Sequence, residues 1–209
     1  VTDVLIANEI AGAPKLQLLA ELNKSAHVAV CADDAGNVAA LAEAASAAGV
    51  TIDVLVEIDV GAGRCGVQPE APAVALAKQI ASSANLRFAG LQAYQGSAQH
   101  IRKVGDRREA IARAVDCVRM TTAALRAAGL QCSYVTGAGT GSYMFEATSS
   151  VYHELQAGSY IFMDADYARN EWTASGVPQF EHSLFVWTTV MSRSEEHTSE
   201  LQSLAYLVC

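Results

Sequence analysis

An α/β fold built on a parallel sheet is predicted by three observations. Apolar runs rich in Val, Ile and Leu alternate with Ala-rich segments of helical period. The alternation continues through four consecutive strand-helix-strand units, which imply a parallel sheet with right-handed crossovers. Clusters of glycine and polar residues fall just past the ends of the expected strands, where α/β architectures place their sites.

Strands are expected at 4–7, 27–31, 53–59, 86–94, 133–136 and 155–162. Helices are expected at 14–23, 35–48, 71–82 and 106–128, between the first five strands. Pro14 opens the first helix, where a missing N–H costs nothing. Gly49 and Gly129 follow Ala-rich helices at the position where a left-handed cap is wanted. Six strands suit an open doubly wound sheet. They equally suit a (β/α)8 TIM barrel entered partway round, at about strands 3 to 8, and Val1 stands almost inside the first strand, as a truncated chain would. At the other end, RSEEHTSELQS (193–203) matches residue for residue the forward translation of a common short-read sequencing adapter, so 193–209 are expected not to belong to the native protein.

Composition narrows the partners. With 51% hydrophobic and 17% charged residues, the chain can bury an ordinary core. No run approaches a membrane span, and the first residues carry no export signal, so no membrane partner is expected. Five cysteines without a C-x-x-C pair argue for reduced thiols and a cytoplasmic location over a disulfide framework. A net charge of -8 repels phosphate backbones, so nucleic acid is not an expected partner.

Three clusters carry the chemistry. After the third strand, EIDVGAGRCGV (57–67) places Arg64 on a glycine-rich turn, a guanidinium suited to an oxyanion or phenolate. Read alone, the same loop is equally a βα connection with a solvated arginine. The fourth strand ends GLQAYQGSAQH (90–100), which gathers Gln92, Tyr94, Gln95 and His100. After the fifth strand, VTGAGTGSY (135–143) offers successive backbone N–H groups as an anion nest, with Thr140 and Ser142 as hydroxyl donors. It is no dinucleotide fingerprint, because Ser142 stands where the third glycine is required, and no P-loop, because no Gly-Lys-Ser/Thr follows. Gly158 and Ser159 mark a further turn near the sixth strand. In a barrel, the loops after the seventh and eighth strands are the usual phosphate pair, and these two glycine turns would fill those places.

Together, EIDVGAGRCGV, GLQAYQGSAQH, VTGAGTGSYMFE and ELQAGSYIFMDADY resemble the D-threonine aldolase and D-serine dehydratase-like family, whose members are fold-type III pyridoxal-phosphate enzymes with an alanine racemase-like N-terminal barrel. The wording is most similar to D-threonine aldolases and 3-hydroxy-D-aspartate aldolases. The resemblance runs from Val1 to Ser192. It implies a partial cofactor-binding barrel over 1–180 and the start of a truncated C-terminal β-domain over 181–192. It also implies a homodimer, with pyridoxal 5'-phosphate and a divalent metal (Mn, Mg, Co or Zn) as cofactors. Arg64 matches the arginine at the cofactor's phenolic oxygen, and Tyr94 matches an active-site tyrosine beside the ring. Gly139 and Thr140, with Gly158 and Ser159, match the phosphate-binding positions. Gln156 stands where racemases carry an arginine facing the ring nitrogen.

Two departures accompany the resemblance. The family's Schiff-base lysine lies on the first barrel strand, and Lys15, Lys24, Lys78 and Lys103 sit in none of its contexts. The metal ligands belong to the C-terminal domain, and neither His153 nor His182 is expected to replace them. The implied activity of the parent protein is retro-aldol cleavage of a D-3-hydroxy amino acid, D-threonine or 3-hydroxy-D-aspartate, to glycine and an aldehyde. The fragment alone is expected to be inactive. Alternatives are dehydration of the same substrate class, a non-enzymatic pyridoxal-phosphate carrier, and a nucleotide-binding open sheet.

Overall fold

The computed structural model describes residues 1–172, 180–187 and 189. The stretch 193–209, attributed above to an adapter, lies outside the described residues.

Six parallel strands form one sheet: β1 (Asp3–Glu9), β2 (His27–Ala32), β3 (Ile52–Glu57), β4 (Leu86–Ala93), β5 (Tyr134–Gly137) and β6 (Glu154–Leu155). Their spatial order is their chain order. That order decides between the two predicted architectures. A doubly wound sheet needs a reversal to put helices on both faces, whereas right-handed crossovers that always advance one strand keep every helix on one face and roll the sheet into a barrel. The curl is visible on the inner face, where Asp3 and Leu5 of β1 line the same cavity, about 340 Å³, as Tyr134 of β5 and Glu154 of β6. The chain is a partial barrel.

The connecting helices are α1 (Ala13–Leu22), α2 (Ala35–Ala48), α3 (Ala71–Ser82) and α4 (Val104–Ala127). Pro14 sits in the first turn of α1, and Gly49 takes the left-handed cap of α2 at φ 68°. At the other end of α2, the Asp34 side chain accepts from the Asn37 N–H at 2.8 Å, satisfying one orphan donor. Strand periodicity divides the apolar residues between two layers. Val28, Val30, Val54, Val56, Leu91 and Val135 face outward onto Leu16, Leu41, Ile80, Val118 and Leu125 of the helices. Ala29, Cys31, Leu55 and Ala89 face inward and meet Leu5 and Tyr134. Small residues dominate the inner layer, which leaves room within the barrel.

The sixth expected strand requires correction. Only Glu154 and Leu155 pair with β5; Ser159–Phe162 forms a 3₁₀ turn in which the Ile161 N–H donates to the Gly158 carbonyl. A short apolar run cannot be assigned from periodicity alone, and the glycine within this one permits the turn. Two short helices, α5 (Tyr143–Thr148) and α6 (Ala165–Ala168), fill the segments around it. Residues 180–187 contain no regular element, and the Ser183 N–H donates to the Met163 carbonyl; 188 and 190–192, in the stretch expected to begin a β-domain, lie outside the described residues.

Candidate active site

The loops that leave the C-terminal ends of β3, β4, β5 and β6 are tied to one another in series. The first is shaped by two carboxylates. Asp59 Oδ1 accepts from the N–H groups of Gly61 and Gly63 at 2.9 and 3.0 Å, and Asp33 Oδ2 accepts from that of Gly66 at 2.9 Å. The bonds from Gly63 and its neighbours hold the Asp59 carboxyl below its usual range. Gly66 is obligatory: its φ is 103°, and a Cβ there would lie 2.5 Å from the Asp59 nitrogen. This turn presents Arg64, whose guanidinium lies 5.6 Å from the centroid of the Tyr94 ring. Burial raises the Tyr94 phenol, so it stays a neutral donor.

From there the ties pass along the rim. Gln95 Nε2 donates to the Val60 carbonyl at 3.1 Å, Gln99 Nε2 donates to the Gln95 carbonyl at 3.1 Å, and the Gly141 N–H donates to Gln99 Oε1 at 2.8 Å. The Tyr160 N–H closes the series on Thr140 Oγ1 at 3.0 Å. The structure therefore brings Thr140 together with the Gly158–Ser159 turn, as the sequence reading expected.

The glycine loop itself differs in detail from a simple nest. The Gly139 and Gly141 N–H groups are turned onto Ser142 Oγ and Gln99 Oε1. Among the described residues, the N–H groups of Thr140, Gly158 and Ser159 have no acceptor, and neither do the hydroxyls of Thr140 and Ser159. Five donors without acceptors on two adjoining loops match the oxygens of a single phosphate group, and the donor set fits pyridoxal phosphate in kind.

Gln156 lies on the inner face. Its Nε2 donates to Gln92 Oε1 and Thr136 Oγ1 at 2.8 and 2.9 Å, and its Oε1 accepts from Gln92 Nε2 at 3.0 Å. Both amide hydrogens are engaged, so the residue offers a neighbour an acceptor and no donor. Lys15, Lys24, Lys78 and Lys103 are exposed on or beside α1, α3 and α4. His153 Nδ1 accepts from the Val135 N–H at 3.0 Å.

Some participants were not singled out from sequence. Glu9 and Glu57 end β1 and β3, Asp33 follows β2, and a ligand atom of Cys65 joins those of Glu9 and Asp33 within 4.8 Å. Burial, the charge of Glu9 and a hydrogen bond to it raise Glu57 to about 8. Beneath the glycine loop, burial raises Glu146 to about 7, and its Oε2 has no partner. Acids at successive strand ends were the available signal, but nothing in sequence says that they converge.

The profile of the family described as "Alanine racemase, N-terminal domain" matches residues 4–166. The chain belongs to the alanine racemase N-terminal domain family. Within it, the chain is 49% identical over 193 residues to a D-threonine aldolase of Arthrobacter sp, covering 92% of the chain and 50% of that protein. It is 45% identical over 201 residues to a 3-hydroxy-D-aspartate aldolase of Paracoccus denitrificans (strain Pd 1222), covering 94% and 52%. Among solved structures, the crystal structure of D-threonine aldolase from Filomicrobium marinum superposes with a TM-score of 0.86 at 53% identity, covering 93% of this chain and 52% of that one. The chain thus spans about half the length of the relatives it matches. As an alanine racemase-type barrel, it places the tied loops at the end where such barrels build their sites.

Proposed function

We propose that the whole protein is a pyridoxal-phosphate-dependent, metal-assisted aldolase that cleaves D-3-hydroxy amino acids, D-threonine or 3-hydroxy-D-aspartate, to glycine and an aldehyde. The observation that carries this reading is the pair of tied loops, with Thr140, Gly158 and Ser159 holding donors that no acceptor among the described residues uses. The similarity to two kinds of D-hydroxy amino acid aldolase supports the substrate class.

In this reading Thr140, Gly158 and Ser159 bind the phosphate, with Gly139 giving the loop its shape. Arg64 would neutralise the phenolic oxygen from its position 5.6 Å from the centroid of the Tyr94 ring. Tyr94 orients the ring from a neutral phenol. Gln156, having spent both amide hydrogens, leaves the ring nitrogen without a proton donor, which makes for a weaker electron sink. Bound there, pyridoxal phosphate supplies delocalisation for the electron pair left on Cα when Cα–Cβ breaks. A divalent metal, whose ligands we assign to the C-terminal part of the whole protein, supplies acidification of the substrate β-hydroxyl.

The lysine that would carry the cofactor is assigned to the part of the barrel that precedes β1, so the 209-residue chain alone should turn nothing over. We assign the whole protein to the cytoplasm on the four cysteines that are free among the described residues and expect a homodimer. No helix among the described residues is long and apolar enough to cross a membrane. Incubating the whole protein with D-threonine or 3-hydroxy-D-aspartate, pyridoxal phosphate and Mn²⁺ should release glycine and aldehyde. Pyruvate or oxaloacetate with ammonia would instead make it a dehydratase, and aldehyde release by the 209-residue chain would falsify the assignment of the missing groups.

A further inference from the structure

We propose that Gln99 is the positioning residue of the phosphate subsite, a side-chain amide wedged beneath the glycine loop that decides which of its N–H groups face a ligand. This rests on the phosphate reading above and adds a residue that touches no ligand.

Gln99 is 1% exposed, and every polar atom of its side chain is committed. Nε2 donates one hydrogen to the Gln95 carbonyl at 3.1 Å and the other to Ser142 Oγ at 2.8 Å, while Oε1 accepts the Gly141 N–H at 2.8 Å. Its backbone carbonyl is held from the far side by Asn170 Nδ2 at 2.8 Å. Ser142 Oγ passes its own hydrogen to Glu146 Oε1 at 2.8 Å and accepts from the Gly139 N–H. The amide thus cannot rotate without breaking three bonds, and two of those bonds end on the loop.

The glycines show the same interlock from the other side. A Cβ on Gly139 would overlap Gln99 Oε1 and lie 2.5 Å from Gln99 Cδ; a Cβ on Gly141 would overlap the Gln99 backbone carbonyl. Neither Gly139 nor Gly141 has a positive φ. Glycine is required at these two positions by the approach of Gln99. With the Gly141 N–H, and more loosely the Gly139 N–H, drawn down onto this pillar, Thr140 is left as the loop residue whose N–H and hydroxyl remain for an anion. A methionine could fill the same volume but could not orient the loop, and a glutamate would present an acceptor where Gln95 and Ser142 supply acceptors already.

The test compares pyridoxal 5'-phosphate with pyridoxal, which lacks the phosphate, by fluorescence titration of the whole apo-protein, with melting temperatures measured in parallel. Gln99→Met should weaken pyridoxal phosphate binding about tenfold or more, as misdirected hydrogen bonds do, and change pyridoxal binding less than about twofold. A lower melting temperature with an unchanged ratio of the two affinities would make Gln99 merely structural and overturn the proposal. Gly139→Ala should lower the ratio in the wild-type background and cost little further in a Gln99→Ala background. Gly141→Ala, opposed by backbone, should be damaging in both. Equal costs of Gly139→Ala in the two backgrounds would also overturn the proposal. If Gln99 variants fail to fold, Gly139→Ala alone carries the test, and an unchanged ratio sinks the idea. A wild-type protein that does not distinguish the two ligands removes the phosphate reading itself, and the Gln99 proposal with it.

Discussion

At the N-terminal ends of the strands, Asp3, His27, Asp53 and Arg87 form a chain of alternating charge across four neighbours. His27 contacts Asp3 at 2.6 Å and Asp53 at 2.9 Å, and Arg87 Nε donates to Asp53 Oδ1 at 2.6 Å. At the C-terminal ends of the same strands, Glu9, Asp33 and Glu57 converge, with Arg64 as the cation that offsets Glu57. Each charge of the floor has an opposite neighbour, and the floor contributes to stability. The rim concentrates like charge and unspent donors, which costs stability and leaves groups for a ligand or for the rest of the barrel. The contrast predicts opposite signs: neutralising Glu57 or Glu146 should help at the rim, and neutralising Asp53 should harm at the floor.

The largest effect is expected at Glu57. Its folded value of about 8 lies above the ordinary carboxylate value of 4.5, so its contribution is intact below about 4.5 and is lost as pH rises toward 8. Glu57→Gln does not titrate. Its advantage over wild type should grow across that window to about 5 kcal/mol, read by denaturant unfolding of the chain at a series of pH values. Glu146→Gln should behave alike over 4.5 to about 7, with a gain of about 3 kcal/mol, since the amide oxygen can still accept from Ser142. A variant less stable than wild type at alkaline pH would show that the rim acids are paired after all.

At the floor the sign reverses. Asp53 is buried, and burial pushes its carboxyl up, but hydrogen bonds from Arg87 and His27 outweigh that and hold it below its ordinary value. Asp53→Asn turns an NH2 group toward a guanidinium and should cost about 2 kcal/mol, the usual scale for hydrogen bonds to charged groups. A neutral or stabilising result would put the floor in the same class as the rim.

The same division separates what was legible in the sequence from what was not. Val28 to Ala32 and Ile52 to Glu57 are buried along their length, so their apolar character alone marks them as strands. Tyr160, Ile161 and Phe162 are just as apolar, yet they stand 41%, 56% and 63% exposed in a 3₁₀ turn, and periodicity misreads them. The pairing of the Thr140 loop with the Gly158–Ser159 turn was legible because glycine turns at strand ends carry a local chemical signature. Gln99 was not, because its role depends on a loop some forty residues away. One signal did exist: glycines alternating at 137, 139 and 141 imply that something presses against one side of that loop.

The smallest expected effect tests how tightly the floor is balanced. The hydrogen bond to Asp3, then that to Asp53, raise His27 above its ordinary value against the opposing effect of burial. A raised folded value means that the imidazolium's contribution is complete below about pH 6.5 and is lost as pH climbs through the higher folded value. The side chain is 43% exposed, so solvent screens much of the interaction and the effect should be modest. Asp53 titrates in the other direction, its contribution complete above about pH 3.9 and lost as pH falls through its lower folded value. Between these two windows the floor is most stable. The difference in melting temperature between wild type and His27→Gln should therefore be widest near pH 5–6 and narrow toward pH 9. A constant difference across that range would mean that the ring acts through packing alone, and that the charge chain ends at the Asp53–Arg87 pair.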